Sequence, residues 1–215
     1  MTVAERLARV RAALPPGVTL VAVSKAQPAA AVREAYAAGQ RHFGENYVQE
    51  WREKAEALAD LGDLSWHFVG SLQTNKVKYL VGRVALVHTV DRLDLAGEIS
   101  RRSAQKGAAT RILVEVNVAG ETGKAGCAPA EVPALVEAVR AMPGLELRGL
   151  MCIPPAQGDP RPHFRTLRAL RDRLGLAELS MGMSGDFPAA VEEGATLVRV
   201  GTAIFGERPA RLTRP

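Results

Sequence analysis

A lysine at the end of an apolar run is the first residue that could do chemistry. The run reads Val21-Ala22-Val23-Ser24-Lys25, and the alternation of side chains along a strand puts Lys25 on the same face as Val21 and Val23. If that face is buried, desolvation can remove the proton from the amine and make it a nucleophile for a carbonyl carbon. A lysine that simply reaches solvent where its strand ends is the alternative.

Two segments late in the chain carry small and hydroxyl-bearing residues that suit an anion. Ser184 and Gly185 follow one apolar run, and Gly201 and Thr202 follow the next. In barrel proteins the loops after the seventh and eighth strands often bind phosphate through backbone N–H groups. Each of these residues alone is typical of a turn or a helix cap, but together they predict a phosphate site.

An arginine between these segments extends the pattern. Arg199 alternates with Leu197 and Gly201, so it is predicted to point to the strand's inner face, where a buried charge needs a partner. A nucleophilic lysine, a phosphate site and an inward arginine together indicate pyridoxal phosphate. In that interpretation Lys25 forms the Schiff base, the phosphate site holds the phosphate, and Arg199 faces the ring.

Other polar residues near predicted strand ends have two interpretations each. Asn46 either belongs to the site or caps the helix that follows it. His67 lies between aromatic residues and is either a hydrogen-bonded core residue or a catalyst, and Lys76 is either a surface charge or an anion contact. Residues 117–126 have the glycines of a phosphate-binding loop without its spacing, which favours an ordinary polar loop.

The elements that must position these residues alternate regularly. Eight short apolar runs predict strands, at 20–23, 42–44, 66–69, 85–90, 112–118, 147–153, 178–183 and 197–205. Amphipathic segments predict helices at 2–14, 29–38, 48–61, 92–106, 129–142, 162–174 and 188–193. Glycine follows several of these helices, and Pro129 and Pro188 lie near helix starts.

This alternation predicts the fold. Each strand except the last precedes a helix, which implies a parallel sheet, and eight units indicate a closed (β/α)8 TIM barrel. An open doubly wound sheet is the alternative, although no G-x-G-x-x-G motif follows the first strand. No linker or repeat divides the chain, so we expect residues 1–215 to form one domain.

Composition narrows the class of protein. With 215 residues, 47% hydrophobic and 24% charged, the chain is typical of a globular domain rather than a disordered or membrane protein. It has neither a stretch of about 20 apolar residues nor a secretory signal. Its two cysteines and the lack of zinc-like Cys/His spacing predict no metal site and a reducing, cytoplasmic compartment.

The net charge of +5 has a local origin. Residues 161–173 contain five arginines and one aspartate, and residues 207–215 contain three arginines and one glutamate. Aromatic residues do not alternate with the basic cluster as they do in proteins that bind single-stranded nucleic acid. A solvated helix face and a basic tail are therefore favoured over a nucleic-acid footprint.

Six motifs in order along the chain resemble those of the pyridoxal phosphate homeostasis proteins. They are VAVSK (21–25), FGENY (43–47), WHFVG (66–70), LQTNK (72–76), MGMS (181–184) and VRVGTAIFG (198–206). The resemblance implies a single barrel like the N-terminal domain of alanine racemase, with Lys25 carrying the cofactor as an internal aldimine. It also implies that Ser184, Gly201 and Thr202 hold the phosphate, that Arg199 meets the pyridine nitrogen and that Asn46 lies near the ring. Gly185 departs from the family, where a larger polar residue is common.

The resemblance implies a carrier or buffer of pyridoxal 5′-phosphate in vitamin B6 homeostasis, without robust turnover. A guanidinium keeps its proton near neutral pH, so the pyridine nitrogen stays unprotonated and the ring is a weak electron sink. A slow amino-acid racemase, with Tyr47 or His67 moving the proton, is the alternative function. We expect a monomer that binds no nucleic acid and no membrane and that could supply apo pyridoxal phosphate enzymes.

Overall fold

A computed structural model describes residues 1–207 of the chain. Eight parallel strands form a closed barrel in chain order. The strands are β1 (Thr19–Val23), β2 (His42–Glu45), β3 (Ser65–Phe68), β4 (Leu86–Val90), β5 (Thr110–Val116), β6 (Leu145–Cys152), β7 (Glu178–Ser180) and β8 (Leu197–Val200). The predicted (β/α)8 barrel is confirmed, and the open doubly wound sheet is excluded.

The barrel closes where the first strand meets the last. β1 pairs in parallel with β8, and the register puts Val21 opposite Arg199. On its other side β1 pairs with β2, with Val23 opposite Gly44. The predicted lysine strand and the predicted arginine strand are therefore neighbours in the sheet.

Two separate apolar groups explain why the strands carry apolar residues on both faces. The inner group fills the barrel and consists of Val21, Leu86, Leu113, Met151 and Leu197. The larger outer group lies between the strands and the surrounding helices. Since β1 contributes Val21 to the inner group and Ala22 to the outer one, its side chains alternate as predicted.

Nine α-helices and one 3-10 helix (Thr74–Lys76) are found within residues 1–207. The α-helices are α1 (Val3–Ala12), α2 (Ala29–Ala37), α3 (Val48–Ala57), α4 (Val77–Leu80), α5 (Leu93–Lys106), α6 (Val132–Arg140), α7 (Arg161–Arg173), α8 (Phe187–Glu192) and α9 (Thr202–Phe205). Glycines stop several of them as predicted. At Gly194, for example, φ is +92°, and the next N–H, of Ala195, bonds back to the Ala190 carbonyl at 2.9 Å.

Four predicted boundaries are wrong by three residues or more. Strand β7 ends at Ser180 rather than at residue 183. The last strand ends at Val200 rather than at residue 205, because the backbone turns at Gly201 and residues 202–205 form a one-turn helix that packs against α1. Helix α3 ends at Ala57, where separate turns begin, and not at the residue before Gly62. Helix α6 begins at Val132 with Pro133 in its first turn, whereas Pro129 lies in the turn that precedes it.

The basic face of α7 is largely neutralised by the neighbouring helix. Arg161 pairs with Glu192 at 2.7 Å, and Arg165 pairs with Glu193 at 2.9 Å. These ion pairs favour the solvated-face interpretation. The basic tail predicted for residues 207–215 lies, beyond Glu207, outside the described residues. In the part of the chain that the structure describes, no helix combines the length and the apolar character needed to cross a membrane.

Candidate functional site at the carboxyl end of the barrel

A cavity of about 250 Å³ opens at the carboxyl ends of the strands. All six predicted site residues line it, namely Lys25, Asn46, Ser184, Arg199, Gly201 and Thr202. They come from the ends of β1, β2, β7 and β8 and from the loops that follow. The structure thus brings together residues that the sequence separates by almost the whole chain.

Lys25 lies in a constrained turn directly after β1. The next residue, Ala26, has a φ of +60°, a conformation that costs energy for a residue other than glycine. The backbone N–H of Ala26 donates to a carboxylate oxygen of Glu50 at 2.6 Å. A charge-assisted bond from α3 therefore holds the turn that carries the lysine.

A set of polar residues, all buried except the partly exposed Glu50, holds the other side of Lys25. We call Ser24, Glu45, Glu50 and Lys54 the clamp. Lys54 Nζ donates to the Ser24 carbonyl at 2.6 Å and to carboxylate oxygens of Glu45 and Glu50 at 2.7 Å each. The Ser24 hydroxyl donates to Glu45 at 2.6 Å. The clamp fixes the two backbone positions that flank Lys25.

Asn46 does not cap helix α3. The N-cap is Tyr47, and its side chain makes no capping hydrogen bond. The side-chain oxygen of Asn46 is buried and has no hydrogen-bond partner among the described residues. A Cβ at residue 70 would lie 2.1 Å from the Asn46 carbonyl oxygen, so glycine is required at Gly70 for Asn46 to take this position. An unpaired acceptor at a cavity wall is a group that a ligand can satisfy.

The two predicted phosphate loops meet at Ser184. The Ser184 hydroxyl oxygen accepts from the backbone N–H groups of Gly201 at 3.2 Å and Ala203 at 3.3 Å. Asp186, which the sequence analysis did not single out, accepts from the Met183 N–H at 2.6 Å and so orders the first loop. Because these two N–H groups converge on one oxygen atom, the loops present hydrogen-bond donors that suit an anion.

Small residues keep this surface open. A Cβ at Gly201 would lie 3.1 Å from the Val23 carbonyl oxygen, which is tight, whereas a Cβ at Gly185 would meet nothing within 4 Å. Gly185, the position that departs from the family, therefore leaves free space in the cavity wall.

Arg199 forms the inner part of the cavity and is only 5% exposed. Its Nη1 donates to the Ser180 hydroxyl at 2.7 Å and its Nη2 to the Cys152 carbonyl at 2.9 Å. Burial lowers the pKa of Arg199, but a guanidinium still keeps its proton in this setting. Within the described residues, these two contacts use two of its five N–H donors.

His67 belongs to the core and does not line the cavity. It is 4% exposed and bonds to two other histidines, His42 at 3.0 Å and His88 at 2.9 Å. Burial, together with His42, lowers the pKa of His67 to about 3. Of the two interpretations of His67, the structure therefore supports the hydrogen-bonded core residue.

A buried carboxyl near Arg199 was missed by the sequence analysis. Glu115 on β5 is 5% exposed. Burial and, to a smaller extent, Asp91 raise the pKa of Glu115 to about 7, with Arg199 acting in the opposite direction. The carboxyl therefore changes charge near neutral pH. A charged residue flanked on both sides by apolar strand residues is the signal that could have identified it.

We expect Glu115→Gln to stabilise the protein increasingly as pH rises above about 4.5, with the full gain reached above pH 7. The raised pKa means that the folded state binds more protons than the unfolded state between about pH 4.5 and 7, so stability falls as pH rises through that window. Removing the charge should raise the free energy of unfolding by about 3 kcal/mol at pH 8 and by almost nothing at pH 4. Urea unfolding at both pH values measures this. Glu146→Gln, at an exposed carboxylate, is the control and should show no such difference.

The remaining candidates lie outside the cavity. Tyr47 is 55% exposed and Lys76 is also exposed. The loop at 117–126 is closed on itself, since the Asn117 side chain bonds both the N–H and the carbonyl of Glu121. None of these residues lines the cavity.

Known sequences match this chain over nearly its whole length. Residues 2–209 match the family "Alanine racemase, N-terminal domain". A relative from Aquifex aeolicus is 50% identical over 88% of this chain and 86% of its own, and one from Pseudomonas aeruginosa is 47% identical over 96% of each. Both are named pyridoxal phosphate homeostasis protein.

Solved structures give the same fold. PipY of Synechococcus elongatus, solved with pyridoxal phosphate (PLP) bound, is 44% identical and superposes with a TM-score of 0.90 over 95% of this chain and all of its own. Alanine racemase of Clostridium difficile has a TM-score of 0.79 at 14% identity, with 98% of this chain and 58% of the racemase covered. The second likeness concerns the fold alone.

Proposed function

Because this chain belongs to the pyridoxal phosphate homeostasis proteins, within the alanine racemase N-terminal domain family, we propose that it binds pyridoxal 5′-phosphate in this cavity. It acts in vitamin B6 homeostasis as a carrier or buffer of the cofactor rather than as an efficient enzyme. The observation that carries the proposal is the convergence of a lysine, an anion-suited pair of loops and a buried arginine on one cavity.

The residues present fit this cofactor. The Gly201 and Ala203 N–H groups that converge on Ser184 mark where phosphate oxygens would lie, with Thr202 beside them. The donors of Arg199 suit the pyridine nitrogen, which is an acceptor. The unpaired oxygen of Asn46 supplies an acceptor near the ring. Lys25, held by the clamp, is the amine that would bind the aldehyde carbon covalently.

The same residues favour retention over turnover. When bound, pyridoxal phosphate supplies a ring that can withdraw electrons from a bound amino acid, most strongly when its nitrogen is protonated. Arg199 can only donate hydrogen bonds, so it holds that nitrogen unprotonated. None of the three tyrosines, all within the described residues, lines the cavity to act as a second base.

Exchange of the Cα proton tests the carrier proposal. The protein loaded with cofactor is incubated with L-alanine or D-alanine in deuterated buffer, and deuterium at Cα is followed by NMR. We expect exchange to be barely faster than with free cofactor. Rapid exchange that is lost in Tyr47→Phe while the cofactor stays bound would instead establish a racemase-type site.

Thr202→Val tests the phosphate site. The substitution removes one hydroxyl donor to a charged acceptor, a bond worth about 1.5–3 kcal/mol, so affinity for pyridoxal phosphate should fall about tenfold or more. Affinity for pyridoxal, which lacks the phosphate, should hardly change. Both are measured by titration of the absorption spectrum, with Thr166→Val on α7 as the control. Equal losses for the two ligands would mean that Thr202 does not contact the phosphate.

Partners and location extend the proposal. A carrier without turnover needs recipients, and apo pyridoxal phosphate enzymes are the class that accepts this cofactor. The two cysteines are free and buried, which supports a reducing, cytoplasmic compartment. Size-exclusion chromatography should show a monomer.

A further inference from the structure

A line of polar side chains runs from Arg199 through the interior of the barrel. The Ser180 hydroxyl, which accepts from Arg199, lies 2.8 Å from Nδ1 of His88. His88 Nε2 lies 2.9 Å from Nδ1 of His67, and His67 Nε2 lies 3.0 Å from Nδ1 of His42. We call Ser180, His88, His67 and His42 the relay. Ser180 and His88 are completely buried.

The chemistry of Arg199 gives the relay a direction. A guanidinium has only donors, so the Ser180 oxygen accepts from Arg199. His88 Nδ1 is the other hydrogen-bond partner of this hydroxyl among the described residues, so the Ser180 proton is satisfied only when it is donated to Nδ1. A neutral imidazole that accepts at one nitrogen donates at the other. His88 therefore donates through Nε2 to His67, and His67 donates through Nε2 to His42. Each buried group in the relay is satisfied only in this arrangement.

The far end of the relay lies at the opposite face of the barrel. His42 is the first residue of β2 and lines a second cavity together with Arg11 and Arg41. Arg11 and Arg41 thus lie near the His42 end of the relay, and Arg199 lies at the Ser180 end. An added proton on a histidine would meet positive charge in either direction, which supports a neutral relay. Burial also lowers the pKa of each of the three histidines.

We propose that the relay positions the guanidinium of Arg199 for the bound cofactor. Ser180 supplies one of the two acceptors that orient Arg199, and the histidines hold the Ser180 proton away from it. Without His88, the Ser180 proton has no acceptor among the described residues, so the hydroxyl is no longer held in the orientation that accepts from Arg199. The role toward the cofactor rests on the proposed function, whereas the direction of the relay does not.

The direction is tested on the cofactor-free protein. Labelling with ¹⁵N-histidine and long-range ¹H–¹⁵N NMR report which ring nitrogen of each histidine carries the proton. We expect the Nε2–H form for His67 and His88 at pH 7.5. His42→Asn places an acceptor where Nδ1 was and should preserve both forms, whereas His42→Phe removes the acceptor and should change the His67 signals. Nδ1–H forms in the parent protein would overturn the relay.

The positioning role is tested with matched serine variants. Ser180→Ala removes the Arg199 acceptor, while Ser103→Ala removes an equally buried hydroxyl, bonded to Thr110 at 2.7 Å, far from the cavity. We expect Ser180→Ala to shift the absorption maximum of bound cofactor and to weaken binding about tenfold. Ser103→Ala should lower stability and leave the spectrum and affinity unchanged.

The two proposals fail in different ways. If the parent protein binds no pyridoxal phosphate but shows the expected histidine forms, the proposed function falls and the relay's direction stands. If cofactor binds and Ser180→Ala changes neither its spectrum nor its affinity, the positioning role is wrong although the proposed function holds.

Discussion

We expect Lys25→Ala to abolish covalent attachment of pyridoxal phosphate while leaving weaker, reversible binding. Among the described residues that line the cavity, Lys25 alone carries an amine that can bond to the aldehyde carbon, whereas Ser184, Gly201 and Thr202 remain to bind the phosphate. Borohydride reduction followed by peptide mapping should place the adduct of the parent protein at Lys25. In Lys25→Ala the visible absorption band of the adduct should be absent.

The other lysines provide the control. Lys76→Ala, at an exposed position outside the cavity, should leave the adduct unchanged in amount and spectrum. An adduct that maps mainly to Lys76 or Lys124 in the parent protein would contradict the assignment of Lys25.

Lys54→Met should destabilise the protein by about 3–5 kcal/mol, because it leaves the carboxylate of Glu45 buried without its ion-pair partner. Glu45 is fully buried and Lys54 is 5% exposed, so solvent cannot replace the lost contact. The substitution also removes the donor to the Ser24 carbonyl and loosens the turn before Lys25. Urea unfolding measures the first effect, and the rate of adduct formation measures the second.

A double variant separates charge from packing. Glu45→Gln combined with Lys54→Met removes both charges and should recover most of the lost stability, since a neutral pair needs no compensation. If the double variant is as unstable as Lys54→Met alone, the loss comes from packing of the lysine side chain and not from the unpaired carboxylate.

The sequence predicted the parts of the site that depend on local alternation. Lys25 and Arg199 were placed inward because side chains alternate along β1 and β8, and the barrel followed from the repeated strand–helix pattern. The sequence allows two interpretations of Asn46, and the N-cap of α3 at Tyr47 excludes the capping one.

The supporting residues could not be predicted, because they depend on which elements touch. In the sequence, Lys54 resembles any other charged residue of helix α3. Its contacts with Ser24 and Glu45 form only when α3 packs against the ends of β1 and β2. His42, His67 and His88 lie on three strands, and their alignment depends on the stagger of neighbouring strands, which no local pattern contains. The end of β8 was mistaken because residues 203–205 are as apolar as a strand.

The pairing of β1 with β8 has a consequence for how the protein is made. A ribosome releases the lysine strand first and the arginine strand last, so a growing chain carries Lys25 long before Arg199, Gly201 and Thr202 exist. Until β8 inserts, β1 and β7 both present open edges that can pair with other chains. Cofactor capture by the complete site therefore comes only after β8 has been made, and a chain cut short before β8 lacks Arg199, Gly201 and Thr202 and has two exposed edges.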